Sequence, residues 1–418
     1  MPFEFDRSQS LVGASIKIVG IGGCGGNAVN NMIERGITGV EFITFNTDQQ
    51  ALNSSLAQRF QIGKATTKGL GAGFNPEIGK KAAEEDREQI SELLRGTDML
   101  FITAGMGKGT GTGAAPVIAG IAKNLGILTI GIVTKPFEYE GRRTMETAER
   151  GIEELRKQVD TLIVVQNEKI LSFANGDLGI KEAYNLANDV LYRAAKGISE
   201  IITKHGHVNV DFADVRNIMS DAGDAVMGSA TASGENRALK AAMEAISSPL
   251  LDGVSIKGSS RVLVNLTGDI KIRDAQEAMN YIYEQAGSDA TIIHGVVEDD
   301  AVPGEINVTV IATGFNKKKP STAAEQLRVV RREDLAKSVN PNVENKLSRM
   351  NAEMYERPEK RDDTPTFIRL GMTSPEPLEN AKPNEAESHT EKPNLTPEQD
   401  RIRKTNSDTP AFLRKIMD

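Results

Sequence analysis

Nearly continuous apolar runs recur in the first part of the chain, at 15–22, 41–48, 99–105, 128–135 and 161–167. Each is rich in Ile and Val and lacks the alternation of a half-solvated strand, which predicts strands covered on both faces. Helix-compatible stretches separate them, and that alternation predicts a parallel sheet with flanking helices. A stretch with few breakers, 180–204, predicts one long helix. From about 208 to 315 the pattern changes. Strand candidates 261–267, 291–298 and 305–313 surround a helical stretch at 272–286, predicting a second, smaller α+β domain.

Beyond Phe315 the composition shifts. Ten of the sixteen prolines lie there, with only Tyr355, Phe367 and Phe412 as aromatics. Such a segment buries too little apolar surface to offset ordering entropy and is expected to be a disordered linker. The chain carries a net charge of −8, which argues against general nucleic-acid affinity. A single cysteine, Cys24, allows no internal disulfide and suits a reducing compartment. The first ten residues carry acids and no apolar core, unlike a signal peptide. No run approaches the roughly 18–20 apolar residues of a membrane helix. The expectation is a soluble, cytoplasmic protein with no direct membrane insertion.

Two glycine-rich segments stand where predicted strands give way to helices. The first comprises Gly22, Gly23, Cys24, Gly25, Gly26 and Asn27. Glycines let a backbone approach a ligand, and the N–H groups of a following helix face an anion. This segment alone also suits a plain strand-to-helix turn. With Asp48 ending the second strand, it suits a dinucleotide fingerprint as well. The second segment decides more. Gly105, Gly107, Gly109, Gly111 and Gly113 interleave with Met106, Lys108, Thr110 and Thr112. Nine such residues are costly to order, and they present N–H groups and hydroxyls around a phosphate. No Gly-Lys-Ser/Thr triplet makes this a Walker loop. A dehydrogenase has no evident use for a second phosphate loop, so an NAD-binding Rossmann oxidoreductase is the weaker alternative.

These segments resemble the signature of the tubulin/FtsZ family of GTPases, and within it the bacterial FtsZ cell-division proteins. Further motifs agree in order: Asn46-Thr47-Asp48, Lys68 to Gly73, Thr134 to Phe137 with Glu140-Gly141, Asn188-Asp189, and Asn209 to Asp214. The resemblance implies an α/β fold of tubulin-like type. A Rossmann-like, parallel-sheet GTP-binding domain (15–179) follows a short extension (1–14). A long central helix (180–207) joins it to a smaller α+β, GTPase-activating domain (208–316). A linker (317–404) and a partner-binding terminal peptide (405–418) complete the chain.

By the same resemblance, residues 22–27 and 105–113 hold the phosphates of GTP or GDP, with Ala72 and Gly73 near the γ-phosphate. Glu140 matches the ribose contact, Tyr184 the residue stacking on guanine, and Asp189 the base-reading carboxylate. A carboxylate accepts from both guanine N1–H and the 2-amino group, a donor pair adenine lacks. On spacing alone, Asp189 is as well a solvated helix-face residue. Asn209, Asp211 and Asp214 belong to a loop that enters the nucleotide site of the next subunit and positions the attacking water. On spacing alone, Asp211 or Asp214 is as well an N-cap. Mg2+ is expected on the phosphates rather than on a dedicated side-chain cluster. The implied activity is assembly-dependent GTP hydrolysis by a head-to-tail homopolymer at a mid-cell division ring. A GTP-binding scaffold with weak hydrolysis is the other alternative.

The sequence departs from the pattern at three places. Lys108 replaces a usual glycine; it either strains a positive-φ position, reaches a phosphate or points to solvent. Thr144 stands where an arginine is usual, leaving Arg142 or Arg143 as substitutes. Cys24 is either activated by a helix N-terminus or simply small. The terminal segment 408–416 resembles the family's recognition peptide for membrane tethers, and Phe412, Leu413 and Ile416 give it an apolar edge. An internal echo at 363–369 raises the expectation of a second tether site.

Overall fold

The computed structural model describes residues 13–171, 178–204, 206–248, 256–298 and 304–315. The linker, the terminal peptide and the echo at 363–369 lie outside the described residues.

In chain order the elements are β1 (Ile16–Ile21), α1 (Gly22–Glu34), β2 (Glu41–Asn46), α2 (Gln49–Asn53), β3 (Gln58–Gln61), α3 (Lys64–Thr67), α4 (Pro76–Glu85), α5 (Arg87–Leu94), β4 (Met99–Gly105) and α6 (Thr110–Asn124). Then come β5 (Leu128–Lys135), a single 3-10 turn (Glu138–Glu140), α7 (Arg142–Arg156), β6 (Thr161–Gln166), α8 (Asn167–Leu171), α9 (Ile180–Thr203) and α10 (Phe212–Met219). The remainder is β7 (Gly223–Ser233), α11 (Arg237–Ile246), β8 (Arg261–Gly268), α12 (Ile272–Ala286), β9 (Thr291–Val297) and β10 (Glu305–Thr313).

The strands form one sheet in the order β3-β2-β1-β4-β5-β6-β7-β10-β8-β9. Strands β3 through β7 run parallel; β10 lies antiparallel between β7 and β8. The apolar runs become strands because both faces are covered. Ile18, Phe101 and Ile130 pack on one side with α1 and α9. Val19, Ile102 and Val133 pack on the other with α4, α5, α6 and α7. A third apolar cluster joins α11 and α12 to β8 and β10. Helix α9 follows from its spacing: Ala183, Ala187, Val190, Leu191, Ala194, Ile198 and Ile201 make one buried stripe.

The sequence reading missed β3, β7 and α11, whereas the N-cap it allowed at Asp211 is realised at α10. Strand β7 is built of Gly, Ala, Ser and Thr with one Asp and only two larger apolar residues, so it presents no apolar run. A Cβ at Gly228 would overlap the Ala245 carbonyl, so α11 seats on β7 only because that strand is small. Residues Thr161 to Ile163 pair with Gly223 to Ala225, and this short ladder makes the two predicted sheets continuous.

Candidate nucleotide site

The chain reverses its winding direction between β1 and β4: β2 and β3 lie to one side of β1, and β4, β5 and β6 to the other. In open α/β sheets the crevice at such a switch point, at the carboxyl ends of the strands, is where ligands bind. Both glycine segments lie there. Ile21 pairs in register with Ala104, so Gly22 and Gly105 leave the sheet side by side.

The first segment is less a loop than a helix start. Gly22 to Gly26 form the opening of α1, and Gly22 has φ +72°. A Cβ on Gly22 would stand 3.0 Å from the Gly111 amide nitrogen, so the two backbones nearly touch. In the second segment only 106–109 is irregular; Thr110 to Gly113 open α6. Neither α1 nor α6 has a side-chain cap or an acidic residue in its first turn. Their first N–H groups are therefore unmatched by side chains and carry the positive ends of two helix dipoles. An anion fits such a pair of termini.

Packing accounts for several of the glycines. A Cβ on Gly109 would lie 2.7 Å from that of Ala72, and one on Gly111 would lie 2.6 Å from the Gly105 carbonyl oxygen. At Gly113 it would overlap the Pro76 carbonyl. These contacts set Ala72 against Gly109, and Gly73 lines one cleft with Gly107, Thr112 and Gly113. Hydroxyls hold the turn: Thr112 Oγ1 accepts the Gly107 N–H at 2.9 Å, and Thr110 Oγ1 meets Thr47 Oγ1 at 2.7 Å.

Glu140 borders the same cleft. Its carboxylate accepts the Phe137 N–H at 3.2 Å and faces the Lys108 ammonium at 3.2 Å. Lys108 is not among the positive-φ residues, so it carries no backbone strain; its side chain has an ion-pair partner instead of pointing idly to solvent. Thr144 donates to the Glu140 carbonyl at 2.9 Å and packs where a Cβ on Gly107 would stand. Of the two substitute arginines, Arg143 lines a cleft of about 710 Å³ together with Gly73, Gly107 and Thr112. Arg142 pairs with Glu146 on the outer face of α7.

Tyr184 reaches this border from α9. Its hydroxyl meets that of Tyr139 at 2.7 Å and its ring stands edge-on to Phe137. Burial, the Tyr139 hydroxyl and the nearby Glu140 charge push its phenol upward. Asp189 lies further along α9, with one oxygen on Arg35 at the end of α1 and the other 2.7 Å from Arg193 Nε. Arg35 also covers the Tyr192 ring, 4.7 Å from its centre. Asn27 is exposed on α1. Cys24 is half-buried against Gly105, 3.8 Å from Thr134 Oγ1. Burial pushes its thiol up, so activation by the helix N-terminus is not what this environment produces.

Asp48 is an N-cap: its carboxylate accepts the N–H groups of Gln50 and Ala51 at 2.8 and 3.3 Å. This occupation removes the one feature beyond the first glycine segment that favoured a dinucleotide fold. Two residues escaped the sequence reading. Asn167 opens α8 at the carboxyl end of β6, buried with a partnerless Oδ1. Asn31, one turn past Asn27 on α1, has a buried, partnerless Oδ1 too. Only the strand-end position of Asn167 was available as a signal.

The acidic loop is elsewhere. Asp211 caps α10, accepting the Asp214 N–H at 2.8 Å, and Asn209 accepts the Gly206 N–H at 2.7 Å. Arg216 of α10 donates to the Asp98 carbonyl, just ahead of β4. The loop therefore sits at the amino edge of the sheet, and Gly105 ends β4 at the opposite edge.

Comparison with known proteins agrees with this arrangement. The model for the Tubulin/FtsZ family GTPase domain matches residues 15–175, and that for the FtsZ family C-terminal domain matches residues 223–316. An FtsZ dimer structure from M. jannaschii is 40% identical, with 74% of this chain and 90% of that chain covered and a TM-score of 0.70. The chain belongs to the tubulin/FtsZ family. It is a GTP hydrolase by that membership, which implies binding of GTP or GDP. GDP-bound CetZ1 from Haloferax volcanii shares the fold at 22% identity, covering 75% of this chain and 99% of that one with a TM-score of 0.61. No helix among the described residues is long and apolar enough to cross a membrane.

Proposed function

We propose that this family member polymerises head to tail, in a GTP-dependent manner, into protofilaments of the cell-division ring, recruits division proteins there and turns over by hydrolysis. The observation that carries this reading is the separation of the acidic loop from the phosphate loops. Helix α9 spans 24 residues, about 36 Å at the usual rise, and delivers Asp211 to the edge of the sheet opposite the phosphate segments. One chain cannot bring its own Asp211 to its own phosphates. A second copy stacked in the same orientation can, and such heterologous contacts do not close on themselves. FtsZ from M. jannaschii is described as a dimer, which is in keeping with self-association.

The roles follow. Residues 22–27, 72–73 and 105–113 hold the phosphates, Arg143 takes the place of the arginine replaced by Thr144, and Glu140 meets the ribose. Tyr184 and Asp189 meet the base. Asp211 and Asp214 of the neighbouring copy, with Asn209, orient and polarise the water, an effect worth about 10²–10⁴-fold. Mg2+ carried by the phosphates supplies charge neutralisation. Residues 15–179, 180–207 and 208–316 act as GTP-binding domain, central helix and activating domain. Residues 405–418, and the echo at 363–369, take membrane tethers at the mid-cell cytoplasmic face.

The test is GTP turnover per chain against protein concentration, with light scattering alongside. A steep rise above a threshold, coincident with scattering, is expected. Constant specific activity would overturn the shared site and favour a weakly hydrolysing scaffold.

A further inference from the structure

Lys108 spans the mouth of the cleft. Its ammonium lies 3.2 Å from Glu140 Oε2 and 5.6 Å from the centre of the Phe74 ring. One side chain thus links the turns that precede α6, α7 and α4. The two ends of the ion pair are unequal. The Glu140 side chain is 11% exposed and is also held by the Phe137 N–H. The Lys108 side chain is 55% exposed on a flexible four-carbon stem. The carboxylate is fixed and the ammonium can leave it.

An ion pair whose cationic end is more than half exposed is readily exchanged. A polyphosphate seated on the N-termini of α1 and α6 presents several anionic oxygens next to the backbone that carries Lys108, so it competes well with one carboxylate. Lys108 stands just ahead of Gly109, the residue that precedes the first turn of α6. Its position and reach make the exchange local.

We propose that Lys108 is a specificity-determining residue: it holds Glu140 before nucleotide enters and transfers its ammonium to the outer phosphates when a polyphosphate binds. This inference rests on the reading of the cleft as a GTP site. Its consequence is discrimination by phosphate number, exerted within one chain. Part of the charge neutralisation is then intrinsic, so polyphosphate binding persists when divalent cations are chelated.

The experiment measures equilibrium affinity of the full chain for GTP, GDP and guanosine in EDTA, at low and high salt. The chains compared are the unchanged protein, Lys108→Gln and Lys108→Arg. Lys108→Gln is expected to weaken GTP binding about tenfold, GDP binding less and guanosine binding little. Its GTP affinity should also depend less on salt, and Lys108→Arg should restore both. Unchanged GTP affinity in Lys108→Gln would overturn the proposal. Equal losses for GTP and guanosine would do so too, because they confine Lys108 to holding Glu140. Absence of GTP binding by the unchanged protein would instead overturn the GTP reading itself.

Discussion

Asp211 caps the helix that carries Asp214, its carboxylate accepting the Asp214 N–H at 2.8 Å. One side chain thus has a structural duty within its own chain and, in the proposed filament, a catalytic duty toward the next. The two duties separate by substitution. Asn caps a helix as well as Asp does, whereas Ala loses about 1 kcal/mol. Asp211→Asn should keep the unfolding midpoint and lose roughly 100-fold or more in assembled GTP turnover. Asp211→Ala should lose both. If Asp211→Asn hydrolyses GTP normally, Asp211 is a cap and nothing more.

Asp189 is gripped by Arg35 and Arg193, so its carboxylate is oriented before any base arrives. In the proposed site, Asp189→Ala removes the acceptor for the guanine donor pair. The preference for GTP over ATP should fall by about 1–3 kcal/mol, read as the ratio of the two dissociation constants. An unchanged ratio would leave Asp189 as the ion-pair partner of two arginines.

Gly113 lies where α4 crosses α6, and an added methyl would overlap the Pro76 carbonyl oxygen. Backbone cannot yield as a flexible side chain does. Gly113→Ala should therefore cost about 1–3 kcal/mol in denaturant unfolding. It should also weaken GTP binding by displacing the first turn of α6. A Cβ on Gly120, further along α6, would meet only the flexible Gln158 side chain, so Gly120→Ala is the matched control.

The Cys24 thiol titrates above its ordinary range, chiefly through burial. Its folded pKa exceeds the unfolded one, so the unfolded chain gives up the proton first. Cys24 thus favours the folded state below the unfolded pKa, and this contribution is lost as pH rises through the folded pKa. Maleimide labelling at pH 7 should be much slower for folded than for denatured protein. The Cys24→Ala variant should lose less stability than the unchanged protein between pH 8 and pH 10, roughly the range where thiols titrate. Equal labelling rates would refute the burial account.

The sequence by itself determined the parallel core strands, the long α9 and the glycine segments with their family. Each is written contiguously, in an apolar run, a helical period or a clustered residue type. The tertiary structure alone decided what long-range contacts decide. Strand β7 has too few large apolar residues to signal itself, and exists because β6 and β10 flank it. The glycines at 109, 111 and 113 read as ligand-binding, yet their neighbours Ala72, Gly105 and Pro76 show close packing as a second cause. Most of all, Lys108 admitted three fates on sequence. The partner it meets in the fold, Glu140, lies 32 positions away, brought close only because β4 and β5 deliver their following turns to one edge of the sheet. A chain records its local propensities in order, but the meeting of two charges depends on where the folded backbone places them.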